Sequence, residues 1–185
     1  MKQKLREWIE GDMKRYYGES SLTLKEKLAK PLQVKYLIVY RKASFYGSKS
    51  PAGIWYRLRL KRLSEKSGIQ IPTKTIIGKG FYIGHFGTVI INPDVVIGEN
   101  VNIAAGVTIG KTNRGSKMGV PKIGNRVWIG TNAVIVGDIT IGDDVLIAPN
   151  AYVNTDVPSH SVVLGNPGAI HPRENATEGY INRTV

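Results

Sequence analysis

The sequence predicts a mainly β protein, a parallel β-solenoid of six-residue repeats that follows an N-terminal α-helical region. Three observations favour this fold. Aliphatic residues recur every six positions from Ile71 onward, glycine or alanine often follows them, and the first 68 residues lack the repeat but carry helix stop signals. Neither an α-helix nor a single flat strand has a period of six.

The repeat is regular apart from two interruptions. It is displaced by two residues between Ile83 and Ile97, and a loop interrupts it between Ile109 and Ile123. A chain that turns a corner every six residues closes after three sides, so a coil takes about 18 residues and the repeat makes about five coils. The aliphatic positions are Ile71, Ile77, Ile83, Ile97, Ile103, Ile109, Ile123, Ile129, Ile135, Ile141, Ile147 and Val153.

The first part of the chain is predicted to be helical. Gly18, Pro31 and Gly47 interrupt the helical stretches, and Gly68 ends the last one, "GIWYRLRLKRLSEKSG". We expect these helices to pack together and to cover the first coil, because an open solenoid edge promotes aggregation. The predicted division is a helical region at 1–68, the solenoid at 69–164 with a protruding loop at 111–120, and an irregular C-terminal tail at 165–185.

Composition limits the class of protein. The chain is 42% hydrophobic and 22% charged, as in ordinary soluble proteins. No apolar run approaches the roughly 20 residues that cross a bilayer, and the basic N-terminus has no apolar core typical of a signal peptide. Without cysteine there are no disulfides, and three dispersed histidines offer no metal-ligand cluster. We therefore expect a cytoplasmic protein without a metal site.

The net charge of +12 is concentrated in the helical region. Residues 1–70 have 17 Lys and Arg against 6 Asp and Glu, whereas residues 71–185 have 9 against 8. The mixture of aromatic and basic residues in "GIWYRLRLKRL" is typical of interfacial helices. We favour core packing with basic outer faces. The alternative is a weak contact of residues 1–70 with the inner face of an anionic membrane, and no nucleic-acid partner is expected.

The six-residue repeat resembles that of the left-handed β-helix acyltransferases. The stretches "GHFGTVI", "VTIGKT", "PKIG", "WIGTNAVIVGDITIGDD" and "DVPSHSVVLGNPGAI" are most similar to the serine O-acetyltransferase-like branch, which includes O-acetyltransferases of surface polysaccharides. The resemblance covers residues 68–170. It implies a left-handed coil, acetyl-CoA as co-substrate with no permanently bound cofactor, and a hydroxyl acceptor. It also implies a homotrimer with active sites between neighbouring prisms.

His85 is the candidate catalytic residue. It lies in "FYIGHFGTVIINP", where two extra residues displace the repeat, and the resemblance implies that the catalytic histidine sits in such a displaced loop. A hydroxyl is a poor nucleophile, but a histidine within about 3 Å can accept its proton as it attacks a thioester carbonyl. We interpret His160 as structural and His171, in the tail, as inert.

The resemblance also implies where acetyl-CoA binds. The tetrahedral oxyanion needs backbone N–H donors, for which Gly110 and Lys111 are candidates. Lys111 and Lys117 lie in the basic loop 111–120, which we expect to be mobile and to suit the phosphates of CoA. The other candidates resemble the pantetheine track and the adenine end of the site: Gly130, Thr131, Ala148, Pro149, Asn166 and Pro167.

Three positions that the resemblance assigns to the acceptor lack the expected charges. Serine O-acetyltransferases carry an acidic residue where this chain has Gln70, an aspartate where it has Gly84, and a histidine where it has Val120. A charged substrate without partners in a partly dry site costs several kcal/mol. Gln70 is instead available to hydrogen-bond His85 or a sugar hydroxyl.

The sequence therefore favours an O-acetyltransferase that acts on a neutral sugar hydroxyl, in capsular or other surface polysaccharide biosynthesis. A serine O-acetyltransferase of cysteine biosynthesis with a divergent acceptor site is the first alternative. An amino-sugar N-acetyltransferase and a non-catalytic interaction solenoid are the others. The displaced position of His85 argues against the last of these.

Overall fold

The computed structural model describes residues 2–19 and 30–185, so residues 20–29, part of the region predicted to be helical, lie outside the described residues. Within the described chain there are three helices, α1 (Lys2–Tyr17), α2 (Leu32–Tyr46) and α3 (Pro51–Ser67). The strands are β1 (Ile69–Gln70), β2 (Ile76–Ile77), β3 (Tyr82–Ile83), β4 (Val89–Ile91), β5 (Val96–Ile97), β6 (Asn102–Ile103), β7 (Thr108–Gly110), β8 (Lys122–Ile123), β9 (Val127–Ile129), β10 (Val134–Val136), β11 (Thr140–Ile141), β12 (Val145–Ile147), β13 (Tyr152–Val153), β14 (Ser161–Leu164) and β15 (Ala169–Pro172).

The helices end where the sequence signals predict. Gly18, Gly47 and Gly68 each directly follow a helix and have φ values of 72°, 68° and 77°, a left-handed conformation that glycine adopts without strain. At the start of α3, the side-chain oxygen of Ser50 accepts a hydrogen bond of 3.0 Å from the Gly53 N–H. The predicted helix stops are therefore confirmed.

The strands form the three parallel sheets of a solenoid. Sheet 1 contains β1, β4, β7, β10 and β13, sheet 2 contains β2, β5, β8 and β11, and sheet 3 contains β3, β6, β9, β12 and β14, with β15 added antiparallel. One strand from each sheet in turn makes a coil, which gives about five coils. All twelve aliphatic positions of the predicted repeat are at most 5% exposed, because each points into the prism. The predicted fold class is confirmed.

The corners between sheets 2 and 3 show why glycine recurs in the repeat. A β-carbon on Gly98 would lie 2.6 Å from the carbonyl oxygen of Gly124, so the small residue is needed for close stacking of successive coils. The corner itself is turned two residues later by residues with left-handed backbone. In successive coils these are Asn100, Arg126, Asp144 and His160. His160 therefore holds a repeated corner position, as its structural interpretation predicts.

Two tyrosines of the helical region replace a neighbouring strand along the open edge of the first coil. The Tyr36 hydroxyl accepts a hydrogen bond from the Ile71 N–H at 2.9 Å and donates one to the Ile71 carbonyl oxygen at 3.2 Å. The Tyr16 hydroxyl does the same with Ile83, at 2.8 and 2.9 Å. These bonds satisfy backbone groups that would otherwise be free to pair with another chain. The predicted covering of the first coil by the helices is confirmed.

A buried ion pair strengthens the same junction. Arg41 of α2 and Asp12 of α1 are 3% and 1% exposed, and the Arg41 Nε atom lies 2.8 Å from Asp12 Oδ2. Arg41 also donates to the carbonyl oxygen of Ile77 at 2.6 Å, and Asp12 accepts from the Phe81 N–H at 2.9 Å. The pair therefore joins two helices to the first coil.

The predicted tail is wrong in part, because residues 165–185 are not irregular throughout. β15 pairs antiparallel with β14, and beyond it Ala176 and Thr177 are each 4% exposed. The rings of Trp128 and Tyr180 lie 4.9 Å apart, so the tail covers sheet 3. These contacts join residues far apart in the chain, and the six-residue repeat contains no signal for them.

The expectation of core packing is wrong for one side of α3. Leu60 is 8% exposed, but Ile54, Trp55 and Leu58 are 51%, 52% and 60% exposed. Among the described residues, no helix is both long and apolar enough to span a membrane.

Candidate active site

His85 lies in an enlarged connection between sheet 3 and sheet 1. Five residues separate the inward-facing Ile83 and Val89, whereas three residues separate Ile103 and Val107 in the next coil. These four aliphatic residues are all buried, so the two additional residues lie outside the prism. The extra length therefore places His85 on the exposed surface, at the edge where sheets 3 and 1 meet.

Hydrogen bonds to the helical region hold this connection. The Gly87 N–H donates to the carbonyl oxygen of Ser67, at the end of α3, at 2.8 Å. On the other side of the histidine, the Gly84 carbonyl oxygen accepts a hydrogen bond of 3.3 Å from Nε2 of Gln33, in the first turn of α2. Two different helices therefore fix the backbone on either side of His85.

Gln70 does not bond to His85 in this structure, and that bond is one of the two roles for which the sequence leaves it available. It is exposed on β1, where it pairs with Ile90 of β4, and no hydrogen bond joins its amide to the imidazole within residues 2–19 and 30–185. The side-chain amide that bonds to the connection containing His85 belongs to Gln33. Gln33 is 9% exposed, and its Oε1 atom has no hydrogen-bond partner in the described part of the chain. Sequence reasoning missed Gln33, because it precedes Gly84 by 51 residues and belongs to no motif.

The candidate donor-site residues lie along the same edge as His85. Two successive connections from sheet 3 to sheet 1, after β9 and β12, contain Gly130 and Thr131, and Ala148 and Pro149. In the next coil, the hairpin turn that joins β14 to β15 contains Asn166 and Pro167. The hairpin turn that contains Asn166 lies four coils from the connection of His85, or about 19 Å at the usual strand spacing. The structure thus brings these predicted residues into one line that starts at the histidine.

The basic loop lies across sheet 1 from His85, at the edge where sheets 1 and 2 meet. Thr112 and Gly119 exchange two backbone hydrogen bonds of 3.0 Å, which close the loop into a hairpin. The carbonyl oxygen of Lys117 accepts a hydrogen bond of 2.9 Å from the Asp138 N–H in the following coil. The loop is therefore closed at its base and bonded to the following coil, and its expected mobility stays a prediction.

The candidate residues at this edge differ in their freedom to bind a ligand. The Lys117 ammonium group lies 2.7 Å from Asp156 Oδ2, so it already has an anionic partner. Lys111 is exposed and forms no ion pair with the residues that the structure describes. Gly110 ends β7, and Val120 is half-buried against the core at the foot of the loop. Within a single chain, all four of these residues therefore lie away from the edge between sheets 3 and 1 that carries His85.

A cavity of about 400 Å³ lies beside Gln70. The side chains of Arg57 and Lys61 from α3 line it together with Gln70 and Thr73 of the first coil. Sequence reasoning counted these two cations among the solvated basic residues, because their position beside Gln70 depends on how α3 packs. No cluster of three or more metal-ligating side chains occurs among the residues described.

Comparisons with known proteins agree with this architecture. The family model "Bacterial transferase hexapeptide (six repeats)" matches residues 121–155. Serine acetyltransferase 2 of Arabidopsis thaliana is 41% identical over 109 residues, which are 59% of this chain and 34% of the relative. The chain therefore spans about a third of that relative.

Two crystal structures extend the similarity to the helical region. Serine acetyltransferase of Neisseria gonorrhoeae in complex with serine has a TM-score of 0.73 and 27% identity, and the match covers 91% of this chain and 69% of that one. Serine acetyltransferase of Brucella abortus in complex with coenzyme A has a TM-score of 0.74 and 25% identity, with 94% and 68% covered. In its repeats, its coils and these similarities, the chain resembles the hexapeptide-repeat, left-handed β-helix acyltransferases.

Proposed function

We propose that this protein transfers the acetyl group of acetyl-CoA to a hydroxyl group, with His85 as the general base. One observation carries the proposal. Two additional residues in the connection after β3 expose His85, and His85 lies at the first-coil end of the edge along which the six candidate donor-site residues are arranged. The similarity to a serine acetyltransferase solved with coenzyme A supports the choice of donor.

The reaction needs one proton acceptor and one stabilised oxyanion. The imidazole of His85 takes the hydroxyl proton while the hydroxyl oxygen bonds to the thioester carbonyl carbon. Backbone N–H groups, for which Gly110 and Lys111 are the candidates, stabilise the negative oxygen of the tetrahedral intermediate. When the carbon–sulfur bond breaks, the CoA thiolate leaves and receives the proton from the imidazolium.

L-Serine is the first acceptor to test. The comparisons favour this alternative over the sugar acceptor that the sequence favours, because the relatives and solved structures compared above are serine acetyltransferases. The cavity beside Gln70 has charge suited to a carboxylate, although His85 is not among the residues that line it. Arg57 and Lys61 line it and supply positive charge for a carboxylate, which Val120 cannot supply.

A sugar hydroxyl is the second candidate, and one specific observation favours it. The positions of Gln70 and Gly84 carry no negative charge, so they offer no ionic partner for the ammonium group of serine. A neutral acceptor avoids the desolvation cost of that unpaired charge.

We also propose that the active protein is a homotrimer, as the family resemblance implies. Sheet 3 is covered by the tail, whereas sheets 1 and 2 expose Ile90, Ile76 and Val96, which are 41%, 64% and 39% exposed. Trimerisation would bring the loop of one prism to the His85 edge of the next. Light scattering on the eluting peak of a size-exclusion column tests this, and a monomer that retains full turnover would contradict it.

The function is tested by following the free thiol of CoA with acetyl-CoA and one acceptor at a time. The acceptors are L-serine, a panel of sugars and oligosaccharides, and an amino sugar. Turnover with L-serine supports the first candidate, and turnover with sugars alone supports the second. Transfer to the amino group of an amino sugar, or no acceptor-dependent release above hydrolysis, would overturn the proposal of O-acetylation.

A further inference from the structure

The outward side of α3 carries three large apolar side chains that no described residue covers. Ile54, Trp55 and Leu58 are 51%, 52% and 60% exposed. Residues at these spacings lie on one side of a helix, within about 100° of arc. They therefore form a single apolar patch, which we call the α3 patch, and contiguous exposed apolar surface commonly marks a binding surface.

Cations surround the α3 patch. The helix contains five exposed basic residues and one acidic residue, Glu65. The guanidinium of Arg59 lies 5.2 Å from the ring of Trp55, so this cation is held beside the apolar side chain. The basic residues are Arg57, Arg59, Lys61, Arg62 and Lys66.

The opposite side of α3 is fixed to the protein. Leu60 is 8% exposed, the rings of Tyr56 and Tyr46 stack at 5.6 Å, and the Ser64 hydroxyl donates to the carbonyl oxygen of Ile69 at 2.5 Å. The helix cannot turn its apolar residues inward without breaking these contacts. It presents the α3 patch as a preformed surface.

We propose that the α3 patch docks on the surface of an anionic lipid bilayer. The apolar side chains would enter the boundary between headgroups and acyl chains, while the surrounding cations lie against anionic headgroups. The bilayer then supplies an apolar partner for the three apolar side chains and an anionic partner for the cations. The contact is peripheral, and it does not depend on the proposed acetyl transfer.

Other occupants match the surface less well. Nucleic acid would pair with the cations, but phosphate contacts leave Trp55 and Leu58 without an apolar partner. A second copy of the chain could cover the apolar residues, but a two-fold contact through α3 would bring two sets of five cations together. An anionic bilayer offers both an apolar partner for the α3 patch and negative charge for the cations around it.

Vesicle co-sedimentation of the full chain tests the proposal. The probes are phosphatidylcholine vesicles with and without phosphatidylserine, at low salt and at rising sodium chloride. Binding is expected only with the anionic lipid, and salt should weaken it because it screens the attraction. Equal binding to both vesicles, or none to the anionic vesicle at low salt, would overturn the proposal.

Matched variants locate the contact. Trp55→Ser with Leu58→Ser, and separately Arg59→Glu with Arg62→Glu, should each lower the vesicle partition coefficient by about tenfold or more. Leu164→Ser removes an apolar side chain that is 45% exposed on sheet 3, away from α3, and it should bind like the unchanged protein.

Two further readouts separate loss of the membrane contact from unfolding and from damage to the active site. Thermal unfolding should show that each protein remains folded, and acetyl transfer in solution should be unchanged in the two α3 variants. Equal loss of vesicle binding in the control variant would overturn the proposal. So would self-association, seen by light scattering, that the α3 variants abolish while vesicle binding persists.

Discussion

The side-chain amide of Gln33 donates a hydrogen bond of 3.3 Å to the carbonyl oxygen of Gly84, the residue directly before His85. Gln33 lies at the start of α2, so this bond links the helical region to the connection that carries the proposed catalytic base. We expect Gln33 to position His85 through the backbone, without contacting either substrate.

Gln33→Met removes this donor with little change in volume. A lost hydrogen bond of this kind costs about 0.5–1.5 kcal/mol, so kcat should fall by roughly threefold to tenfold. The KM for acetyl-CoA should not change, because the donor site lies along the edge beyond His85. Gln3→Met, on the exposed side of α1, is the control. A rise in KM with kcat unaltered would show that Gln33 has a different role.

The buried pair of Asp12 and Arg41 should contribute strongly to stability. Arg41→Met leaves the Asp12 carboxylate buried without its cation, which typically costs about 3–5 kcal/mol. Urea unfolding measures the loss of free energy. Arg6→Met removes an exposed partner of Glu10 and should leave the unfolding midpoint nearly unchanged. Similar midpoints for the two variants would mean that the helices do not stabilise the first coil through this pair.

Docking of the tail should weaken in acid. Burial of Asp144 opposes its ionisation, but hydrogen bonds from the Thr177 hydroxyl, the Thr177 N–H, His160 and the Ala176 N–H outweigh that effect and lower the pKa of Asp144. A lowered pKa stabilises the folded state above the ordinary value of about 3.9, and this stability is lost as pH falls through the folded value.

Hydrogen exchange at the amides of Ala176 and Thr177 measures this docking. Their protection should decrease below about pH 4, after correction for intrinsic exchange. Asp144→Asn should already lower it at neutral pH, whereas Asp94→Asn, at an exposed carboxylate, should not. Unchanged protection in Asp144→Asn would contradict the role of this carboxylate.

The predictable part of this fold is the part that repeats. The inward position of Ile129 or Ile141 follows from a six-residue period that neither an α-helix nor a single flat strand has. The exposure of His85 follows from the interruption of that period. The bonds of Gln33 and Arg41 to the first coil could not be predicted, because they depend on how helices dock on the solenoid. The exposure of the apolar residues on α3 could not be predicted for the same reason.

The two lysines of the basic loop should differ in their effect on the donor. Lys111→Ala removes an exposed cation that has no ion-pair partner in the described chain, so the KM for acetyl-CoA should rise about threefold to tenfold. Lys117→Ala removes a cation already paired with Asp156, so its effect should be smaller. Initial rates at varied acetyl-CoA measure both. A larger effect of Lys117→Ala would mean that its pair with Asp156 opens when the donor binds.

The most direct test of the account is the turnover of His85→Ala beside that of His171→Ala, with the acceptor that supports the highest rate. If His85 is the general base, its removal should lower kcat by about 10²–10⁴-fold, while the melting temperature changes little because the side chain is exposed. His171→Ala, at an exposed position on β15, should retain full turnover. Undiminished turnover in His85→Ala would contradict the claim that the enlarged connection exists to present a catalytic base.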